Sequence, residues 1–310
     1  MVDNLQIIHL KMASALRRLN SEFLGKQSRM LDQTQNGDGG WGGREGPSDL
    51  YYTGFGARAA DLLGYGDEDL WNGVARYLRH TPPPGTIVDA LSFAEAQALA
   101  AQRLGGSGPT GFERDLIEMV ESFRKDGSYV REKGGGGSVY QTFLAWRTHA
   151  ALGAVMPDAD AALRWVASRQ REDGGFAESE GARASGVNPT VAGFQFLSAN
   201  RPLCVCVGDG VGAFLAKMQR ACGGFAAHEN APEPDLLSTF TSLITLAGLG
   251  GLASVNLTEA ARFVKSLACP EGGFRGTPSD SRVDVEYTFY GLGCLGLLAS
   301  AAGQGAKRAD

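Results

Sequence analysis

Apolar residues recur along the chain in two alternating kinds of segment. In the first kind they fall at i, i+3 and i+4 and leave a charged face, as in DEDLWNGVARYLRH, FERDLIEMVESFRK, DADAALRWVASRQ and LTEAARFVKSLA. That period marks helices buried on one side only. Segments of the second kind, such as TFLAWRTHAALGA and TFTSLITLAGLGGL, are rich in Ala, Gly and Leu and almost lack a charged face. They predict helices buried nearly all round. No strand-like alternation competes with either.

Glycine clusters punctuate the alternation: DGGW at 38–41, DGSY at 126–129, DGGF at 173–176, CGGF at 222–225 and EGGF at 271–274, with a weaker PPGT at 83–86. Each precedes a phrase of the form Asp-x-x-x-Thr that opens a buried segment. The copies are Asp49…Thr53, Asp89…Phe93, Ser138…Thr142, Gly186…Thr190, Asp235…Thr239 and Asp284…Thr288, with first positions 40, 49, 48, 49 and 49 residues apart. The first position suits an N-cap, where Asp, Ser and Gly are favoured. One unit therefore reads outer helix, GG turn, loop, inner helix. Six units, with the first outer helix near 20–34, predict an all-α fold: a single α/α toroid of six inner and six outer helices. Closure protects end repeats that an open array would leave bare. The expected layout is an N-terminal helix over 1–19, the barrel over 20–303 and a flexible tail over 304–310. All six inner helices start at one mouth, and their Gly and Ala content is expected to leave room at the axis for an apolar cavity.

Composition narrows the function classes. The 310 residues carry a net charge of −5 and no run of Lys or Arg, which gives no footprint for nucleic acid or an anionic membrane. No 18-residue apolar span or cleavable leader is read, so no integral membrane segment is expected and a cytoplasmic location is the expectation. Five cysteines do not suggest a disulfide framework, and Cys204 and Cys206 lack the spacing and the His partners of a zinc finger.

The phrases QNGDGGW (35–41) and QREDGGF (170–176) resemble the repeats of protein prenyltransferase β subunits and of squalene-hopene-type terpene cyclases. The resemblance covers nearly the whole chain and implies a single barrel that handles an isoprenoid or its diphosphate. In the transferases an Asp-x-Cys pair and a His hold the zinc that activates a peptide thiol. The matching positions here are Asp235, Leu237 and Tyr287, so only the Asp remains. Zinc is disfavoured, since leucine cannot bind a metal and tyrosine is a poor zinc ligand. No cofactor is expected, although Mg²⁺ is compatible with a diphosphate substrate. The cyclases use Asp-x-Asp-Asp-Thr, whose middle acid protonates an alkene or epoxide. Asp284-Val285-Glu286-Tyr287-Thr288 departs from it by Glu286 and Tyr287.

Candidate catalytic residues are thus Glu286, Asp284 and Tyr287. Glu286 is the only carboxylate at its repeat position, where the other units place Tyr51, Leu91, Tyr140, Asn188 and Leu237. A carboxylate in a first turn also suits the helix dipole, which leaves a capping role open for it. Tyr51, Tyr140, Trp146, Phe240 and Tyr290 are candidates to line an isoprenoid pocket. The mouth-side cations Arg183, His228, Arg275 and Arg282 are candidates to hold a diphosphate. Two further readings stand beside an isoprenoid enzyme. One is a non-catalytic lipid-binding or scaffold barrel that pairs with a helical partner subunit, docked through MVDNLQIIHLKMASALRRL. The other is a carbohydrate-active toroid with paired carboxylates.

Overall fold

The computed structural model describes residues 4–306 apart from 45, 107–110 and 201–204. Cys204, the side chain of Cys206 and residues 307–310 of the expected tail lie outside what is described. The helices run α1 (Asn4–Leu16), α2 (Ser21–Thr34), α3 (Leu50–Leu63), α4 (Glu68–His80), α5 (Ile87–Leu104), α6 (Glu113–Glu121), α7 (Val139–Ala151), α8 (Ala159–Ala167), α9 (Val187–Asn200), α10 (Val205–Lys217), α11 (Leu236–Leu249), α12 (Leu257–Leu267) and α13 (Val285–Ala306). Short antiparallel strands close some of the loops: β1 (Arg124–Lys125), β2 (Ser128–Val130) and β3 (Gly137–Ser138) form one set, β4 (Phe274–Arg275) and β5 (Val283–Asp284) another. The odd-numbered helices from α3 to α13 pack each on the next, and α13 packs back on α3. That closes an inner ring of six. The even-numbered helices α2 to α12 each pack on the inner helix that follows them, forming the outer ring.

The repeat phrase has a structural account in two parts. First, the opening Asp or Ser caps its helix: Asp49, Ser138, Asp235 and Asp284 accept from the backbone N–H groups of Tyr52, Gln141, Ser238 and Tyr287 at 2.6–2.9 Å. Each bond satisfies a first-turn donor that has no helical partner. The second unit departs from expectation, because its cap is Thr86 and Asp89 lies in the first turn of α5. The hydroxyl of Thr86 accepts from the Asp89 N–H and donates to its carboxylate.

Second, the closing threonine holds the turn aromatic. The hydroxyls of Thr53, Thr142, Thr190, Thr239 and Thr288 accept from the backbone N–H groups of Trp41, Tyr129, Phe176, Phe225 and Phe274 at 2.8–3.2 Å. All five threonines are fully buried. The aromatic then fills a notch seven residues past the cap. A Cβ on Gly56, Gly193 or Gly291 would lie within 2.8 Å of Trp41, Phe176 or Phe274. These three inner-helix glycines therefore open outward to the turn rings rather than to the axis.

The turns also lock neighbouring units. Gly39, Gly174, Gly223 and Gly272 adopt φ between 85° and 116°, a region that favours glycine. A Cβ on any of them would meet the backbone of Gly73, Gly210, Glu259 or Lys26 at 2.1–2.4 Å. Each of these contacts lies on the next outer helix. The last turn presses on α2, so the contact that joins units also joins the two ends of the ring.

Helix α1 packs on α13, α11 and α3. Met12 and Leu16 are buried, and Met12 sits against Gly296 while Ile8 approaches Gly248 near the end of α11. The helix thus covers the ring on the side where inner helices end. Part of its apolar surface is used within the chain, while Ile7 and Leu10 stay exposed. Helix α13 continues to Ala306, into the segment expected to be tail.

Candidate functional site

Glu286 enters the first turn of α13 one residue after Val285, held there by the Asp284 cap. Its side chain is only 9% exposed, and its Oε1 accepts a hydrogen bond from the Tyr51 hydroxyl of α3 at 2.7 Å. Burial pushes its pKa up to about 7, assisted by the nearby Asp284 charge and opposed by the Tyr51 hydrogen bond and by Arg58 and Arg44. A carboxyl so placed keeps its proton to a higher pH than an ordinary carboxyl does. Asp284 is itself raised by burial, with the Tyr287 N–H and Arg44 acting against that shift. The Arg44 Nε lies 3.3 Å from Asp284 Oδ2, and the same guanidinium pairs with Asp280. Burial, with the charges of Glu286 and Asp284, pushes the Tyr287 hydroxyl up to about 12.

Below Glu286 lies an aromatic layer drawn from three inner helices. Phe55 meets Tyr290 at 5.2 Å and Phe289 at 5.8 Å between ring centres; Phe240 meets Phe289 at 5.5 Å and Tyr290 at 5.6 Å. Tyr140 on α7 stands across the ring from α13, yet it feels the charge of Glu286. Both side chains therefore point to the axis. Tyr51, Tyr140, Phe143, Trp146, Leu237 and Ile244 stay half-buried on helices otherwise wrapped by neighbours. We read their residual exposure as the wall of a central lumen.

Deeper in the same lumen the structure places three charged residues that sequence reasoning did not single out. Arg58 of α3 lies 3.4 Å from Glu95 of α5, and Arg147 of α7 pairs with the same carboxylate. Arg58 also stacks 4.0 Å from the centre of the Phe55 ring and 5.2 Å from that of Phe289. The signal was present in the sequence: Arg58 and Arg147 follow Tyr51 and Tyr140 by seven residues, so they lie two helical turns down the same face. Glu95 stands at the same height, nine residues past Thr86.

Among the candidates, Glu286, Asp284, Tyr287 and Tyr51 come together at the mouth, with Tyr140, Phe240 and Tyr290 facing them or just beneath. Trp146 packs against Phe143 and Phe196. Arg183, His228 and Arg282 are exposed loop residues. Arg275 donates to the carbonyl of Ser266 on α12 and to that of Asp280. Asp235 is occupied as a cap, its carboxylate accepting from both the N–H and the hydroxyl of Ser238. The adjoining side chains at the transferase zinc positions are Leu237 and Tyr287, and this donor set does not fit zinc. Among the described residues no three His, Cys, Asp or Glu side chains gather as a metal site, and no helix is long and apolar enough to cross a membrane. A surface cavity of about 860 Å³ lined by Arg169, Arg171, Glu172, Asp173 and Glu180 shares no lining residue with this site.

Two rings of helices, with the strongly raised carboxyl of Glu286 at the end where the inner helices begin and an aromatic layer beneath it, define an α/α toroid with a candidate internal site. A family model described as the prenyltransferase alpha-alpha toroid domain matches residues 112–201 and 190–309, and the chain belongs to this family. No curated protein matches it by sequence. Among solved structures it is similar to Candida albicans protein geranylgeranyltransferase-I complexed with GGPP (TM-score 0.71, 12% identity, 90% of this chain and 92% of that one). It is also similar to a variant of the type II terpene cyclase MstE from Scytonema in complex with geranylgeranyl dihydroxybenzoate (TM-score 0.61, 12% identity, 94% and 98%). A glycosidase in complex with glucose shares the fold as well (TM-score 0.55, 15% identity, 92% and 99%). At these identities the likeness is one of fold, and the fold alone does not choose a reaction.

Proposed function

We propose that this toroid binds a polyisoprenoid or its diphosphate in the lumen and transforms it by protonation, with Glu286 as the general acid. The observation that carries the reading is the environment of Glu286: a buried carboxyl whose pKa is pushed up to about 7, above a layer of aromatic rings. The Oε–H of Glu286 gives its proton to an alkene carbon or an epoxide oxygen of the bound chain. Protonating an alkene leaves a tertiary cation, a neighbouring double bond attacks it, and loss of a proton elsewhere ends the sequence. The faces of Phe55, Phe240, Phe289 and Tyr290 supply electron density to the cationic intermediates. Tyr51 orients the carboxyl, and burial excludes water that would quench the cation. The prenyl ligands of the two structural relatives support a prenyl substrate class. Zinc-activated transfer to a peptide thiol is not part of this reading, because Leu237 and Tyr287 supply neither thiolate nor imidazole.

The test is incubation with geranyl, farnesyl and geranylgeranyl diphosphates and with prenylated aromatics, with Mg²⁺ and with chelator. Products that appear for the wild type and disappear for Glu286→Gln support the assignment. The absence of both binding and product with all of these compounds refutes it, and a Glu286→Gln variant with full turnover removes the residue from the mechanism.

A further inference from the structure

We propose that Arg58 and Arg147, bridged by Glu95, form an anion site inside the lumen. It takes the diphosphate or carboxylate end of a prenyl substrate and leaves the chain running up the aromatic layer toward Glu286. This rests on the reading of the lumen as a prenyl site and adds the orientation of the substrate within it.

Charge count is the first argument. Two guanidiniums share one carboxylate, and the corresponding positions of α9, α11 and α13 are Gln195, Ile244 and Gly293. With Glu286 in its acid form, this stretch of the lumen wall carries one positive charge beyond its negative ones. An unbalanced charge on two partly accessible guanidiniums favours an anionic guest. The planar donor fork of arginine suits diphosphate and carboxylate oxygens.

Position is the second argument. Arg58 reaches the axis: it stacks beneath Phe55 of its own helix and Phe289 of α13, and its charge is felt by Glu286, Tyr51, Tyr140 and Tyr290. Arg58, Glu95 and Arg147 lie seven residues below the Glu286 level, about 10 Å along the helices. The apolar rings fill the interval. An amphiphile with a charged end and an unsaturated chain matches that order of surfaces, with its chain at the acid and its head away from it. The mouth offers a poorer anion site near Glu286, since the Arg44 guanidinium there already faces both Asp280 and Asp284.

The experiment compares equilibrium binding of farnesyl diphosphate, farnesoic acid and farnesol to the full chain and to Arg147→Gln, Glu95→Gln and Arg183→Gln variants. The last alters an exposed mouth cation. The wild type is expected to prefer an anionic ligand over farnesol, and the two anions tell diphosphate from carboxylate. Arg147→Gln is expected to bind the preferred anion about tenfold more weakly with farnesol unchanged, the scale of one charge-assisted contact. Glu95→Gln, which removes the competing carboxylate, is expected to bind the anion more tightly, a gain that a misfolded variant cannot give. Arg183→Gln is expected to match the wild type. Equal affinity for all three ligands, or a preference lost in Arg183→Gln and kept in Arg147→Gln, overturns the inner site while leaving the lumen as a prenyl site. Failure of all three ligands to bind refutes the prenyl reading itself.

Discussion

Replacing Glu286 with glutamine keeps the shape of the side chain and removes its titration, which isolates the energetic consequence of its burial. In the folded chain the carboxyl is pushed from the ordinary 4.5 up to about 7. The folded state therefore binds this proton more tightly than the unfolded state. Its stabilising contribution is complete below about pH 4.5 and is lost as pH rises through about 7. The gap of about 2.5 in pKa corresponds to roughly 3 kcal/mol, at 1.36 kcal/mol for each factor of ten. Urea denaturation of wild type and Glu286→Gln at pH 5 and pH 8 measures it, because every other titrating group is common to both chains. The stability of the variant relative to the wild type should rise between the two pH values by a large part of that amount. A relative stability that does not change with pH would show that Glu286 is already ionised at pH 5, and the general-acid assignment would fall with it.

Three further perturbations follow from the geometry. Tyr51→Phe removes a hydrogen bond to the ionised form, so the Glu286 titration should move upward by about one to two pKa units; carboxyl-carbon NMR of labelled protein reads it, and a downward move would contradict the bond at 2.7 Å. Thr239→Val leaves the N–H of Phe225 without its acceptor, at a cost of about 1–3 kcal/mol, whereas half-buried Thr241→Val serves as the control; equal urea midpoints for the two would refute the clasp. Gly272→Ala forces a side chain into φ 116° and onto the Lys26 carbonyl, so it should lose more than about 1–3 kcal/mol of stability, while Gly303→Ala, with nothing within 4 Å, should lose little.

The order of helices was readable because each unit carries its own signals: a charged or uncharged face, a GG turn and a cap. The misplaced second cap shows the limit of that reading. Asp89-x-x-x-Phe93 imitates the phrase, but the PPPGT connection brings the chain to the mouth sooner and Thr86 takes the cap. The function of the small residues was also hidden, since a glycine seven residues past a cap does not reveal whether its bare side faces the axis or a turn aromatic on the outside. Glu286 was legible as the carboxylate at a position that is otherwise uncharged. Its partner Tyr51 was legible only as an aromatic, because the bond between them joins the last inner helix to the first. Arg58, Glu95 and Arg147 were missed because their pairing runs between helices rather than within one. Each looks like a stray charge in its own helix, and only the packing of α3 on α5 and of α5 on α7 brings the three side chains together.

The central claim is that Glu286 delivers a proton to a bound prenyl chain, and the most direct measurement is product mass spectrometry after turnover in D₂O. The carboxyl exchanges with solvent before substrate binds, so the account expects a rearranged or cyclised product with one deuterium from the first protonation. Neither the product nor the label should form with Glu286→Gln. A product without deuterium, or a deuterated product formed equally well by Glu286→Gln, would contradict it.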